Sequence, residues 1–354
     1  MEEARLQFLK QMVEAHGTSG FEEGIQDLFR REVEPWVDGI QTDRLGSLMA
    51  IRNLGGSPRI LLDAHPDEIG FVVKHIDERG FLFVERVGGW DVEILVAQRV
   101  RVQTAHGPIP GVFGKKAIHL MDDEERKKKS EFHKVWVDIG ARDGAEAREL
   151  VAIGDPVTLE ASFVPARNGM AFAKTFDDRA GLFVMAETLR LLHGQQFPAA
   201  VYGVSAVQEE IGVRGATAAA FGVDPVIGIA IDVSHTSDYP DVDKRKVGEI
   251  ALGAGPILVR GPNIHPGVFR RLVEVARERE IPFQVQTAGG MTGTDARALQ
   301  VSRAGVATGL IGIPLRYMHS PCEMLALSDL ENSAALLAGF VTSCRADDCW
   351  TLEV

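Results

Sequence analysis

Cysteine is scarce in this sequence, and its scarcity excludes a protein built on disulfides. The 354 residues include three cysteines, Cys322, Cys344 and Cys349, and no two of them form a CxxC pair. Three cysteines cannot make a disulfide framework, and a chain of this length buries enough apolar surface to be stable without one. Because the count is typical of a reducing compartment, we expect the protein in the cytoplasm.

Excess positive charge and long apolar runs are also lacking. The formal net charge is -12 at pH 7, so nucleic acids and anionic membranes would be repelled, and we expect neither as a partner. The first residues, MEEARLQFLKQMVEAHG, are acidic and amphipathic, whereas a secretory signal needs a basic start and an unbroken apolar block. No apolar run approaches the roughly 20 residues that cross a bilayer as a helix.

Apolar runs and helical patterns alternate through most of the chain. Buried strands such as RILLDA, AAVYGVSAV, PVIGIAIDVS and ATGLIGIPL are separated by stretches with helical periodicity. Continuous apolar strands that alternate with helices predict an α/β domain, in which a mostly parallel sheet is covered on both faces. Near the start, Ser19 and Glu22 have the spacing of a capping box and predict the beginning of a helix.

The pattern changes between about Gly70 and Phe163. The segment FVVKHIDERGFLFVERVG predicts two strands around a turn, and RVRVQTAHGPIPGVFG predicts further short strands punctuated by glycine. A charged stretch from Met121 to Lys134 interrupts them, and we expect it to form an exposed loop or a short helix. The sequence therefore predicts a β-rich domain at residues 69–163, inserted into an α/β domain that comprises residues 1–68 and 164–354.

Polar side chains follow the apolar strands, at the edge where open α/β sheets place their chemistry. They are two histidines and several carboxylates: His65 and Asp67 after RILLDA, Glu209 and Glu210 after AAVYGVSAVQ, Asp232 after VIGIAI, His319 after GLIGIPLRYM, and Asp177 with Asp178 before a helix. Imidazole and carboxylate groups are ligands of zinc and cobalt, and a carboxylate can bridge two ions. Two ions roughly 3.5–4 Å apart activate water and polarise a carbonyl. This convergence favours a site for two divalent ions.

Each of these residues also has a structural interpretation. A single histidine after a strand is commonly a hydrogen-bonded structural residue, and Asp177 with Asp178 could cap the following helix. Glu209 and Glu210 could be solvated loop charges, and Asp232 could begin a turn. Their joint placement favours the metal site, because independent surface charges would rarely converge on one rim.

Five segments of the sequence, in order, resemble a known family. AHPDEIGFVV, KTFDDRAG, VQEEIGVRGA, AIDVS and RYMHSPCEM are similar to motifs of the glutamyl aminopeptidase or TET-type family of dinuclear-metal aminopeptidases. Some members of that family carry the older label endoglucanase or cellulase M. The resemblance covers nearly the whole chain and implies a three-layer α/β sandwich with a small inserted barrel-like domain. It also implies self-association into a tetrahedral homododecamer through contacts of the insert.

The resemblance further implies a role for each site residue. Five ligands would hold two divalent ions, which would be zinc, cobalt or manganese: His65, Asp177 and Asp232 at one ion, and Asp177, Glu210 and His319 at the other. Asp177 would bridge the ions, and Asp67 would orient the imidazole of His65, because a ligating histidine usually donates its other N–H to a partner. Glu209 would be the general base, and Asp178 a structural neighbour.

The implied reaction is hydrolysis of the N-terminal residue from a peptide with a free amine. A water that bridges the ions would lose a proton to Glu209 and attack the scissile carbonyl, and Glu209 would return the proton to the leaving amine. Three alternatives stay open: another dinuclear-metal amide hydrolase such as a deacylase or carboxypeptidase, a glucan hydrolase, or a non-catalytic scaffold. The preferred N-terminal residue also stays open among acidic, basic and apolar types. Arg214 and Arg316 would suit an acidic residue, but both lie in widely shared motifs and so do not distinguish these types.

Overall fold

The structure is a computed structural model that describes residues 1–352, where helices and strands alternate. The helices are α1 (Glu3–Glu14), α2 (Glu23–Val33), α3 (Asp123–Lys127), α4 (Gly144–Leu150), α5 (Phe176–Leu192), α6 (Arg214–Val223), α7 (Lys244–Val247), α8 (Pro266–Glu278), α9 (Ala296–Gln300) and α10 (Leu327–Ser343). The strands are β1 (Gly39–Thr42), β2 (Leu48–Arg52), β3 (Arg59–Ala64), β4 (Gly70–Ile76), β5 (Leu82–Val87), β6 (Arg99–Thr104), β7 (Gly107–Gly114), β8 (Trp136–Asp138), β9 (Pro156–Leu159), β10 (Val164–Pro165), β11 (Met170–Ala173), β12 (Ala200–Ser205), β13 (Ile227–His235), β14 (Ile257–Arg260), β15 (Gln284–Thr287), β16 (Ala307–Leu315) and β17 (Glu323–Ala326).

A central sheet has the strand order β1-β2-β12-β3-β13-β16-β14-β15. The four strands β12, β3, β13 and β16 are parallel to one another, whereas β2 and β14 join them in antiparallel orientation on either side. Both faces of the parallel strands are covered, which is why their sequences are continuous apolar runs. The predicted α/β fold with a mostly parallel sheet is confirmed.

Helices pack on both faces of this sheet and complete three layers. On one face, the core includes Phe29 of α2, Phe183 of α5 and Phe340 of α10. On the other face, small residues of α6 and Leu299 of α9 pack against Leu310 of β16. The longest helices, α5 and α10, have 17 residues each, and no helix within residues 1–352 is both long and apolar enough to cross a membrane.

Six strands between Gly70 and Leu159 close into a barrel in the order β4-β5-β8-β7-β6-β9. Phe71, Phe113 and Val137 lie in its core. The charged stretch before β8 contains the short helix α3, which is exposed. The predicted β-rich, barrel-like module is therefore confirmed, while its definition as a separate domain at residues 69–163 stays a prediction.

The predicted capping box at the start of α2 is wrong. The helix begins at Glu23, and no side chain caps it. Ser19 Oγ instead donates a hydrogen bond to Asp67 Oδ2 at 2.6 Å, and Glu22 Oε1 accepts one from the backbone N–H of Gln208 at 3.1 Å. Both side chains are engaged by the loops that follow β3 and β12, so neither is free to cap the helix.

A buried ionic cluster supports the loop that follows β3. The fully buried guanidinium of Arg179 donates to the carboxylate of Glu68 at 3.1 Å, to the carbonyl oxygen of Pro66 at 3.1 Å, and to two carbonyl oxygens at the end of α1. Lys174 Nζ donates to the same carboxylate. Since a buried charge is costly unless it is paired and hydrogen-bonded, each member of the cluster depends on the others.

We expect Arg179→Met to lower the free energy of unfolding by about 3–5 kcal/mol, because it leaves a buried carboxylate short of one partner and several carbonyl oxygens without a donor. Urea denaturation at fixed protein concentration measures the loss. The matched control is Arg245→Met, whose guanidinium is exposed and pairs with Asp243, and which should change stability by less than ~0.5 kcal/mol. Equal stability of the two variants would contradict the role of the cluster.

Candidate metal centre

Five segments of the central domain meet at one place and bring the predicted site residues together. They are the loops after β3, β12 and β16, strand β13, and the first residues of α5. A cavity of about 380 Å³ at this place is lined by six of the predicted residues: His65, Asp177, Glu209, Glu210, Asp232 and His319. Asp67, the seventh, is fully buried behind them.

Asp177 lies between two imidazoles. Its Oδ1 is 3.2 Å from His65 Nε2, and its Oδ2 is 3.2 Å from His319 Nε2. Glu210 Oε1 is 3.3 Å from the same nitrogen of His319, and ligand atoms of His65, Asp177 and Glu210 lie within 4.8 Å of one another. A carboxylate that directs one oxygen towards each imidazole has the arrangement of a bridging ligand.

Both imidazoles are oriented by backbone carbonyl groups. His65 Nδ1 lies 3.1 Å from the carbonyl oxygen of Asp67, and His319 Nδ1 lies 3.1 Å from that of Gly89, in the loop after β5 of the barrel. A carbonyl oxygen can only accept, so Nδ1 of each ring carries hydrogen, and Nε2 of each ring faces the carboxylates. This is the arrangement that suits ligation of a metal by Nε2.

Asp232 and Asp178 form a second group around His65. One ligand atom from each of the three residues lies within 4.8 Å of the others. Asp232 does not follow its strand, as the sequence predicted, because β13 continues past the site and pairs with β16 as far as His235. Asp178 accepts a hydrogen bond from the N–H of Gly181 at 3.0 Å, a contact within its own helix; the structural role predicted for it stays a prediction.

The adjacent glutamates are held by one buried carboxylate. Asp67 Oδ1 accepts from the N–H of Glu209 at 3.0 Å, and Asp67 Oδ2 accepts from the N–H of Glu210 at 3.1 Å. The same carboxylate lies 3.5 Å from His65 Nδ1. Asp67 thus fixes the backbone that presents both glutamates, in addition to its contacts with His65; the orienting role predicted for it stays a prediction.

Glu323 is a buried site residue that the sequence reasoning missed. Its two carboxylate oxygens accept hydrogen bonds from the backbone N–H groups of Asp177, at 3.0 Å, and His319, at 2.9 Å. It begins β17, a short strand that the sequence pattern did not predict. In the sequence, the feature that could have pointed to Glu323 as a site residue is its position four residues after His319 in the motif RYMHSPCEM.

Charges in the cluster favour a cation among the carboxylates. Burial would lower the pKa of His319, but hydrogen bonds to Asp177 and Glu210 outweigh it and raise this pKa to about 11. Burial would raise the pKa of Asp177, yet His319 and His65 hold it below its usual range. The pKa of Asp232 lies well above its usual range because of burial and the nearby Asp177. A bound divalent ion would supply the positive charge that such a group of carboxylates requires.

The base predicted from the resemblance is shielded from solvent. Burial raises the pKa of Glu209 to about 8, while the nearby His65 opposes the shift and the nearby Asp295 and Glu210 add to it. Glu209 is 9% exposed and lines the same cavity as the two histidines.

Replacing Glu323 tests whether the buried contacts around the cluster support metal binding. We expect Glu323→Gln to weaken the affinity for Zn²⁺ or Co²⁺ by about 10- to 100-fold, because glutamine has one acceptor oxygen in place of the two that hold the N–H groups of Asp177 and His319. Competition with a chromophoric chelator measures the affinity. Glu274→Gln, at an exposed position of α8, is the control and should bind as the unaltered protein does. Unchanged affinity in both variants would remove Glu323 from the site.

Comparison with known proteins agrees with the motifs and the fold. Residues 46–336 match the family model described as M42 glutamyl aminopeptidase. The chain is 37% identical over 345 residues to a lysyl aminopeptidase of Pyrococcus furiosus. The matched region covers 97% of this chain and 98% of that protein.

Solved structures are similar over nearly the whole chain. A TET aminopeptidase from a marine-sediment archaeon of the Thaumarchaeota matches with a TM-score of 0.92 and 35% identity, covering 96% of each chain. A TET1 peptidase of Pyrococcus horikoshii, described as assembling into a tetrahedron or a large octahedral shell, matches with a TM-score of 0.86 and 29% identity, covering 96% of this chain and 100% of the other. A Thermotoga maritima chain described as an endoglucanase matches with a TM-score of 0.76 and 30% identity, covering 94% and 96%. This chain belongs to the M42 glutamyl aminopeptidase family and is, as the motifs predicted, a metal-dependent aminopeptidase.

Proposed function

We propose that this protein hydrolyses the N-terminal residue from peptides with a free α-amine, at a dinuclear metal site served by Glu209 as general base. The observation that carries the proposal is the position of Asp177, with one carboxylate oxygen 3.2 Å from Nε2 of each histidine. A carboxylate shared in this way suits two adjacent cations better than one, because each cation would also have an imidazole of its own.

The donor set fits two divalent ions. We propose that His65, Asp177 and Asp232 hold one ion and that Asp177, Glu210 and His319 hold the other. Imidazole and carboxylate donors suit zinc, cobalt or manganese. When bound, such ions polarise a carbonyl and make a coordinated water a strong nucleophile.

The chain's own residues move the proton and orient the groups. Glu209 lines the cavity beside both histidines, where its carboxylate accepts the proton of the attacking water and then delivers it to the nitrogen of the leaving amine. Asp67 holds the backbone N–H groups of Glu209 and Glu210, so the base and a ligand keep a fixed separation. The carboxylates that line the cavity favour the ammonium group at the N-terminus of a peptide, which restricts cleavage to the terminal residue.

We also propose that the subunits assemble into a tetrahedral dodecamer, since the Pyrococcus horikoshii TET1 peptidase is described as assembling into a tetrahedron or a large octahedral shell. The barrel would supply contacts between subunits: Ile118 and Leu120, beside its charged segment, are 61% and 72% exposed. Residues 69–163 would then form a domain whose role is assembly. Location in the cytoplasm stays a prediction from the cysteine content.

Glu209→Gln tests the assignment of the base. We expect kcat on aminoacyl p-nitroanilides to fall by about 10²–10⁴-fold, because the carboxylate that accepts the proton is lost, while elemental analysis still finds two ions per chain. Glu210→Gln is the comparison variant and should lose bound metal together with activity. Retained activity in Glu209→Gln would overturn the assignment.

The acyl state of the substrate separates the proposed reaction from its alternatives. Each p-nitroanilide is assayed with a free and with an acetylated amine, on metal-stripped protein before and after zinc or cobalt is restored. We expect cleavage of the free amine only, and only with metal. Equal release of p-nitroaniline from the acetylated substrate would indicate another amide hydrolase, and release of acetate from it would indicate a deacylase. Cleavage of glucan in the presence of chelator would indicate a glycosidase, which uses two carboxylates without metal.

Light scattering tests the proposed assembly. We expect the particle mass at working concentration to be about that of twelve subunits of 38.5 kDa each. A mass equal to that of one subunit would contradict the proposal and would leave the active-site assignment untouched.

A further inference from the structure

The cavity continues beyond the metal centre across the face of the central sheet. Its floor there consists of Leu310 of β16 and Val259 of β14, which are 5% and 4% exposed and belong to the core beneath α6 and α9. Ala288, after β15, packs against the same core and also lines the cavity. A peptide whose scissile carbonyl reaches the metal centre has this apolar region available for the side chain of its terminal residue.

The polar groups of this region are already hydrogen-bonded within the protein. Ser234 Oγ donates to Gln286 Oε1 at 2.7 Å, and Gln286 Nε2 donates to the carbonyl oxygen of Val247 at 3.1 Å. Thr292 Oγ1 lies 2.9 Å from the hydroxyl of Thr294. Because these amide and hydroxyl groups have partners, the wall does not require a polar or charged side chain from the substrate.

The two arginines considered as partners for an acidic substrate, Arg214 and Arg316, do not face this region. The guanidinium of Arg316 donates to both carboxylate oxygens of Asp238, at 2.9 and 2.6 Å, and neither Arg316 nor Arg214 lines the cavity. Within residues 1–352, the titratable side chains of the lining are those of the metal centre and its base, together with the exposed imidazole of His235. The lining of the side-chain region thus has no lysine, arginine or further carboxylate in the described chain.

We infer that this region is a side-chain subsite for neutral, apolar N-terminal residues, and that it discriminates against acidic and basic ones. The inference rests on the proposed aminopeptidase reaction and adds its substrate class. A charged side chain placed against Leu310 and Val259 would lose water and gain no opposite charge, whereas an aliphatic side chain would bury apolar surface. A site that selects a charged residue presents the opposite charge, and this lining presents none.

Matched substrate pairs that differ only in charge test the inference. The unaltered, metal-loaded protein is assayed on p-nitroanilides of norleucine and lysine, which share an alkyl chain, and of glutamine and glutamate. We expect kcat/KM to be at least ~10-fold higher for norleucine than for lysine, and for glutamine than for glutamate. Charged members that are cleaved as fast as their neutral partners would overturn the inference but leave the aminopeptidase assignment standing.

Introducing charge into the lining gives an independent test. Thr287, at the end of β15, is exposed and lines the cavity, so Thr287→Asp and Thr287→Lys should fold. We expect the aspartate variant to improve the lysine-to-norleucine ratio of kcat/KM by about 5-fold, and the lysine variant to improve the glutamate-to-glutamine ratio similarly, since a partly exposed ion pair contributes up to about 1 kcal/mol.

The control for these variants lies at the opposite edge of the same sheet. Thr42 is the last residue of β1 and is also exposed, so Thr42→Asp and Thr42→Lys should leave all four ratios unchanged. Ratios that respond equally at both positions would show a long-range charge effect and overturn the subsite. Absence of cleavage for every free-amine substrate, with two ions bound per chain, would overturn the proposed reaction and the subsite together.

Discussion

The carboxylate of Asp177, shared between two imidazoles, is the contact on which the rest of the site depends. One of its oxygens contacts His65, in the loop after β3, and the other contacts His319, in the loop after β16, so this one side chain links the two loops. Around it, Glu210 and Asp232 add negative charge to a buried place, which is unfavourable without compensation. The cations that we propose for this cluster would compensate the negative charge.

Much of the surrounding structure holds this charged group in position through backbone hydrogen bonds. Glu323 accepts from the N–H groups of Asp177 and His319, and Asp67 accepts from those of the paired glutamates. The inserted barrel takes part as well, since Gly89 accepts from the ring of His319. An insertion that would serve assembly therefore also orients the ring of a proposed ligand, which would couple the metal centre to the position of the barrel.

The sequence predicted the sheet and most of the cluster because both follow local rules. Apolar strands flanked by helices indicate a buried parallel sheet, and polar residues after such strands converge at its edge. The residues that were missed act through other means. Glu323 begins a strand too short to show a pattern, and Gly89 contributes only a carbonyl oxygen, which any residue would provide. Ser19 and Glu22 matched a local helix signal, yet tertiary contacts with Asp67 and Gln208 use their side chains instead.

Substrate selectivity could not be predicted from the sequence, because its determinants are spread over separate strands. Leu310 and Val259 are far apart in the sequence and come together only in the sheet, where β14 pairs with β16 in antiparallel orientation. From the sequence alone, Arg316 is a candidate partner for an acidic substrate, but the structure pairs it with Asp238. The proposed metal centre and the proposed subsite thus differ in kind. The first uses residues of the motifs that resemble the family's, and the second depends on which side chains of separate strands face one cavity. Relatives of one family can therefore share a reaction while they differ in the terminal residue that they remove.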